Sequence, residues 1–197
     1  MKVVGITGVI GSGKTTVSHY LKNAGYYVFD ADSVVNRIYN ESSFLERLIK
    51  IFPDAFTEEG NFDKGLLTKV VFDNKILLKE LENLIHPLVE HDCDLFIERS
   101  RLENRKIIFI DVPLLFETGW DKKCNYTIVV SISPLEQKRR YLLCGGKEED
   151  LLKRINCQMS DDERVKRASF VIDNNNDKLV TFSYLDKTLK EINDLVE

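Results

Sequence analysis

GVIGSGKT, residues 8–15, is a complete G-x-x-x-x-G-K-[ST] motif between a short apolar run and an amphipathic stretch. In such a motif the glycines let backbone N–H groups curve around a phosphate, the lysine reaches the β- and γ-phosphates, and the hydroxyl residue ligates Mg²⁺. Residues 3–6 are typical of a buried strand, and residues 17–24 have helical spacing, so the helix dipole points at the phosphates. The sequence therefore predicts a nucleoside triphosphate site. The residues assigned to this site are Gly8, Gly11, Ser12, Gly13, Lys14, Thr15 and Thr16.

The composition is that of an ordinary globular enzyme with one main domain. The chain has 197 residues, of which 43% are hydrophobic and 30% charged, and its formal net charge is −4. A nucleic-acid-binding protein should be basic, so this charge argues against a nucleic-acid partner. No apolar run approaches membrane-spanning length, and Met1-Lys2 leads directly into the first predicted strand. We therefore expect a cytoplasmic protein without a membrane partner, and a monomer is its expected state.

Five short apolar segments predict the strands of one parallel sheet. They lack the period-two alternation of half-exposed strands, as expected where helices cover both faces of the sheet. The predicted strands are residues 3–6, 26–30, 106–112, 126–131 and 170–173. With a helical pattern after the first of them, this order indicates an α/β fold.

Three further regions have helical patterns. Between the second and third strands, leucines at helical spacing predict a helical insertion over about residues 40–100, interrupted by Pro87. Ser133-Pro134-Leu135-Glu136 predicts a capping box with proline at the first helical position, and Gly145-Gly146 ends that helix. Residues 182–196 predict an amphipathic terminal helix that packs on the sheet.

Two acidic positions follow predicted strands at the sheet edge where open α/β folds place ligands. Asp32, in Asp30-Ala31-Asp32, could orient or deprotonate an acceptor hydroxyl, and Asp111 ends its strand in the manner of a Walker B carboxylate that holds Mg²⁺. The alternative for each is a helix cap, because aspartate is common at strand-to-helix junctions.

A cluster of basic residues predicts a cationic lid over about residues 137–158. If the lid closes, its guanidinium groups reach the transferring phosphoryl group and exclude water. The alternative is a solvated charged face. Its members are Lys138, Arg139, Arg140, Lys147, Lys153 and Arg154.

The chain resembles the dephospho-CoA kinase family nearly from end to end. The segment 111–117, DVPLLFE, is the most specific part of the resemblance. The other matching elements are residues 6–17, 30–32, 81–87 (LENLIHP) and 171–174, together with Gln137, Arg140, Arg154 and Gln158. The family usually has arginine or histidine where this chain has Asn36, and it commonly has a second lid arginine where this chain has Leu143-Cys144.

The resemblance implies a single P-loop kinase domain over residues 1–197, with an acceptor-binding insertion and a lid. It implies transfer of the γ-phosphoryl group of ATP, with Mg²⁺, to the ribose 3′-hydroxyl of dephospho-CoA, the last step of coenzyme A synthesis. The catalytic residues would be Asp32, Lys14 and Arg140. The acceptor would contact Asp32, His86, Leu114 and Glu117, and the metal would be held by Thr15 and Asp111.

Two alternatives remain open from the sequence. One is another small P-loop kinase that phosphorylates a nucleoside monophosphate or a small alcohol. The other is a nucleotide-dependent switch protein. Guanine-binding switches carry an N-K-x-D element, whereas Asn74-Lys75-Ile76-Leu77 lacks the aspartate and does not follow a predicted strand.

Overall fold

The chain forms two compact units in a computed structural model that describes residues 1–72, 74–156 and 158–195. The sheet unit comprises Met1–Asp30 and Phe96–Glu197, and the inserted unit comprises Ala31–Leu95. The inserted unit thus starts directly after the second strand, earlier in the chain than the insertion over about residues 40–100 that the sequence suggests. That the chain acts as one kinase domain stays a prediction.

The sheet unit is built on five parallel strands in the order β2-β3-β1-β4-β5. The strands are β1 (Lys2–Thr7), β2 (Tyr27–Asp30), β3 (Ile107–Asp111), β4 (Tyr126–Ser131) and β5 (Phe170–Asp173). Strands β1 and β3 are buried along nearly their whole length, because helices cover both faces of the sheet. This arrangement confirms the predicted fold. Their carboxyl ends meet at one edge, where Ile6 stands in register with Asp111 and Asp111 with Asp30.

Helices occur in both units. In chain order they are α1 (Lys14–Asn23), α2 (Ala31–Ile38), α3 (Ser42–Ile51), α4 (Lys64–Phe72), α5 (Lys75–Leu102), α6 (Pro134–Leu143), α7 (Glu148–Asn156), α8 (Asp161–Arg167) and α9 (Lys178–Asp194). Short 3₁₀ helices occur at Pro53–Ala55 and Trp120–Lys123. None of the helices within the described ranges is long and apolar enough to cross a membrane.

One face of the sheet packs against α1 and α9. Leu21 of α1 and Leu185 and Ile192 of α9 are fully buried there against strand residues such as Phe109 and Ile128. Each such side chain stabilises the fold by about 1.5–3 kcal/mol. The predicted amphipathic terminal helix is therefore confirmed over α9, while Val196 lies outside the described residues.

On the other face, α8 packs against β4, and the loop after β3 packs against β1 at a glycine. A Cβ at Gly5 would lie 2.8 Å from both Leu115 Cδ2 and Cys124 Sγ, so this close approach requires glycine. Burial raises the pKa of the Cys124 thiol to about 12.

The inserted unit has a small aromatic core of its own. Phe44, Leu48 and Phe52 are buried, and the ring of Tyr39 stacks on Phe62 with 5.2 Å between centroids. Pro87 does not interrupt the helix here, contrary to the sequence prediction. It lies on the exposed side of a continuous α5, between the buried neighbours Ile85 and Val89, whose packing favours the helix.

Candidate active site

The loop after β1 has the tight winding that a phosphate cradle needs. Gly11 and Gly13 have φ of 77° and 90°, in the left-handed region where a side chain is strained. The Ser12 N–H donates to the Val9 carbonyl at 3.0 Å, and a Cβ at Gly8 would lie 2.6 Å from both Ser12 Oγ and the Val130 carbonyl. Because α1 begins at Lys14, its first N–H groups and its dipole are directed at the loop. The geometry fits a bound triphosphate.

Lys14 and Asp111 form an ion pair at the edge of the sheet. Asp111 Oδ1 accepts from Lys14 Nζ, and Asp111 Oδ2 accepts from Ser18 Oγ. The side chains of Lys14 and Asp111 are only 12% and 4% exposed. The carboxylate is therefore not a helix cap, and Ser18, which sequence analysis missed, helps to hold it. Its signal in the sequence was its position four residues after Lys14, on the same face of α1.

The donors near the loop match the chemistry of Mg²⁺. Thr15, exposed in the first turn of α1, carries a hydroxyl, and Asp111 carries a carboxylate, so both would supply hard oxygen ligands. Across the described residues, no group of three or more histidine, cysteine, aspartate or glutamate side chains could hold a metal ion. Mg²⁺ binds through one or two carboxylates together with phosphate oxygens, so the chemistry of these donors fits it.

Two side-chain amides hold the loop from outside. Gln137 Nε2 in α6 donates to the Ile10 carbonyl at 2.8 Å, and Asn174 Nδ2 after β5 donates to the Ser12 carbonyl at 2.6 Å. The sequence singled out Asn174 only as part of the family resemblance. Its buried position was not predictable from neighbouring residues, because its partner is 162 positions away.

Helix α6 starts at the predicted cap, and its two arginines differ in exposure and in their contacts. Ser133 Oγ accepts from the Glu136 N–H at 3.4 Å, and Pro134 is the first helical residue. The Glu136 carboxylate accepts from Arg139 and Arg140, whose hydrogen bonds hold its pKa at about 2. Arg139 is 60% exposed, whereas Arg140 is 25% exposed and also donates to the Asn174 carbonyl at 2.7 Å.

Arg140 thus contacts Asn174, one of the two residues that hold the loop from outside. Lys138 pairs with Glu148 instead, at 2.5 Å between two half-exposed side chains. The ion pairs of Lys138 and Arg139 are exposed to solvent. These two residues therefore fit a solvated charged face, which is the alternative to a lid.

A cavity of about 410 Å³ opens beside the loop within the sheet unit. The residues that line it include Val9, Ser131, Gln137 and Asp161. Ser131 Oγ donates to the Asp161 carboxylate, while burial raises the pKa of that group. The cavity offers space for a substrate group next to the phosphate loop.

Glu117 and Leu114 lie in the loop that follows β3, and Glu117 has protein partners. Its Oε1 accepts from the fully buried Arg164 guanidinium of α8 and from the Met159 N–H at 3.0 Å. A buried guanidinium needs such a partner, so Glu117 ties α8 to this loop. The assigned contact of Glu117 and Leu114 with an acceptor stays a prediction.

Asp32 and His86 belong to the inserted unit. Asp32 is the second residue of α2, so it lies within the first turn and not at the cap. His86 is half-buried in α5. Asn36, which stands where the resembling family has a cation, accepts a hydrogen bond from Lys64 Nζ at 2.8 Å. The roles assigned to Asp32 and His86 stay predictions.

Comparison with known proteins gives consistent matches. The sequence pattern of dephospho-CoA kinase matches residues 2–179. A dephospho-CoA kinase of Fusobacterium nucleatum subsp. nucleatum is 39% identical over 176 residues, which cover 88% of this chain and 89% of that protein. The structure of TT1252 from Thermus thermophilus is similar with a TM-score of 0.85 and 36% identity, covering 96% of both chains. A dephospho-CoA kinase from Campylobacter jejuni gives a TM-score of 0.72 with 27% identity, again over 96% of both chains.

Proposed function

Because this chain belongs to the dephospho-CoA kinase family, we propose that it transfers the γ-phosphoryl group of ATP to the ribose 3′-hydroxyl of dephospho-CoA. The products are coenzyme A and ADP. The observation that carries this proposal is the extent of the family match. It covers residues 2–179 and so includes the whole inserted unit, Ala31–Leu95, and not only the nucleotide-binding sheet.

Lys14 and Asp111 would change partners when ATP binds. Phosphate oxygens offer the Lys14 ammonium a stronger anion than one carboxylate does, so Lys14 moves from Asp111 to the β- and γ-phosphates. Asp111, still held by Ser18, is then available with Thr15 to hold Mg²⁺. When bound, Mg²⁺ neutralises the charge that develops on the phosphates.

Asp32 would accept the proton of the acceptor hydroxyl, and Arg140 would stabilise the transferring phosphoryl group. Asp32 follows β2 by two residues, and the last residue of β2, Asp30, stands in register with Asp111. His86, Leu114 and Glu117 complete the set of residues that we assign to the acceptor. We propose further that the enzyme acts as a monomer in the cytoplasm on these two small molecules, without nucleic acid or membrane partners.

We expect Arg140→Ala to lower turnover by about 10²-fold, because a positioned cation stabilises charge on the transferring group. Arg139→Ala is the matched control, since it removes the same side chain one position earlier, where the guanidinium is 60% exposed and bonded to Glu136. The test is to measure steady-state turnover and melting temperature for both variants. A larger loss at Arg139 would show that the other arginine acts, and no loss at either would remove the cationic lid from the mechanism.

Acceptor choice is tested by an ADP-release assay with a panel of acceptors. We expect phosphorylation of dephospho-CoA, and turnover at least about tenfold slower with AMP, UMP or adenosine, because specificity reflects differential binding of the transition state. Equal turnover of a nucleoside monophosphate would contradict the assignment of the acceptor. In that case the alternative, a small P-loop kinase for nucleoside monophosphates, would be favoured.

A further inference from the structure

The phosphate loop has to keep its carbonyl groups pointed away from the anion. Backbone N–H groups bind phosphate only when they face into the cradle, and the carbonyl oxygens between them must then face outward. An outward carbonyl that is shielded from water needs a donor. In this chain the Ile10 carbonyl accepts a hydrogen bond from Gln137 Nε2, and the Ser12 carbonyl accepts one from Asn174 Nδ2. The contact to Ser12 lies next to Gly13 and Lys14, and the lysine of such a motif reaches the β- and γ-phosphates.

Each polar atom of Asn174 has a partner. Its Oδ1 accepts from Thr181 Oγ1 at 2.6 Å, which fixes the amide so that Nδ2 faces Ser12. Its backbone N–H donates to the Ser131 carbonyl at 2.9 Å, and its backbone carbonyl accepts from Arg140 at 2.7 Å. Asn174 is only 6% exposed. The residue therefore connects the phosphate loop, the end of β4, α9 and Arg140 at one buried point.

Gly13 and Asn174 depend on each other sterically. A Cβ at Gly13 would collide with Asn174 Nδ2, so the amide occupies space that only a glycine leaves open. The glycine thus serves two purposes, since its φ of 90° shapes the loop and its missing side chain admits the amide. This second purpose is not part of the general explanation of the motif.

We propose that Asn174 is a positioning residue that holds the Ser12 carbonyl outward before the nucleotide arrives and places Arg140 beside the same loop. The catalytic part of this proposal, the placement of Arg140, rests on the proposed function. Its direct consequence is independent of the acceptor, because it concerns how well the preformed cradle binds nucleotide phosphates. Preorganisation of this kind strengthens binding, since the loop does not have to be ordered when the ligand enters.

The test compares Asn174→Asp with Thr188→Val in ADP binding by calorimetry. Asn174→Asp keeps the size of the side chain but turns a carboxylate oxygen towards the Ser12 carbonyl in place of a donor. We expect ADP affinity to fall by about 10- to 100-fold, as is typical when a buried acceptor loses its donor, and KM for ATP to rise while KM for dephospho-CoA stays unchanged. Thr188→Val removes a buried hydrogen bond of the same helix α9, from Thr188 Oγ1 to the Tyr184 carbonyl at 3.0 Å, and leaves the contacts of the Asn174 amide in place, so we expect ADP affinity within about threefold of wild type.

Two results would overturn the proposal: wild-type ADP affinity in Asn174→Asp, or an equal loss in Thr188→Val, which would attribute both losses to lower stability alone. Circular dichroism establishes that each variant is folded. If Asn174→Asp does not fold, Asn174→Ala removes the donor without adding charge, and unchanged ADP affinity in that variant would again refute the proposal. A wild-type protein that binds ADP but does not phosphorylate dephospho-CoA would contradict the proposed function and leave the role of Asn174 intact.

Discussion

Lys14→Ala is expected to lower turnover by at least about 10³-fold and to weaken ATP binding as well. In the proposed mechanism the lysine contacts the β- and γ-phosphates in both the ground state and the transition state, and loss of one positioned donor alone costs about 10²- to 10³-fold. The structure adds an effect on stability. Without Lys14, the nearly buried Asp111 carboxylate keeps Ser18 as a donor but loses its counter-charge. We expect the free energy of unfolding to fall by about 1–3 kcal/mol.

The matched control for this variant is Ser18→Ala. It also removes a donor from Asp111, so it should destabilise the fold by a similar amount, but it removes no contact with phosphate. Turnover should then fall far less than in Lys14→Ala. ATP affinity, turnover and melting temperature should be measured on both purified variants. Activity of Lys14→Ala close to that of the wild type would mean that the loop is not a catalytic phosphate cradle.

Asp32→Asn is expected to preserve ATP binding and to lower turnover by about 10²- to 10⁴-fold. The carboxylate is proposed as the base for the acceptor hydroxyl, and general base catalysis contributes about this factor. Asparagine has almost the same shape and cannot accept the proton. Because Asp32 lies in the first turn of α2, removal of its charge should cost only about 0.3–1 kcal/mol of stability. A large loss of turnover with a small change in melting temperature would therefore separate chemistry from structure.

Asp30→Asn provides the comparison for Asp32. Its carboxylate is close in the chain but is paired with Lys22 at 3.2 Å. We expect turnover of this variant to stay within about tenfold of the wild type, since a half-exposed pair contributes little. Unchanged turnover in Asp32→Asn, with a large loss in Asp30→Asn, would transfer the role to Asp30.

Local patterns in the sequence predicted much of the architecture. The segment Tyr126–Ser131 forms the predicted strand without a change of bounds, and Phe170–Asp173 does the same. Ser133 caps α6 and Pro134 begins it, as the sequence indicates. These predictions succeed because apolar runs, caps and glycines act within a few residues of each other.

Tertiary contacts overrode local signals elsewhere. Pro87 predicts a break, yet α5 continues through it. The Ser133 capping box is half formed, because the Glu136 carboxylate binds Arg139 and Arg140 while the Ser133 N–H donates to Asn175. The complete box is at Ser160 and Glu163, where the sequence analysis did not place one. Packing in α5 thus outweighs a proline penalty of about 3 kcal/mol, while at Ser133 the neighbouring arginines and Asn175 replace half of a capping box worth about 1 kcal/mol.

The sequence by itself determined the phosphate loop, the parallel sheet and the position of Asp111 at the end of β3, because each depends on spacing along the chain. Only the tertiary structure decided which side chains hold the site in place. Ser18 and Lys14 share Asp111 across 93 and 97 positions, and Asn174 meets Ser12 across 162. Contacts between residues so far apart leave no local pattern, since they arise only when the strands align and bring their ends to one edge of the sheet.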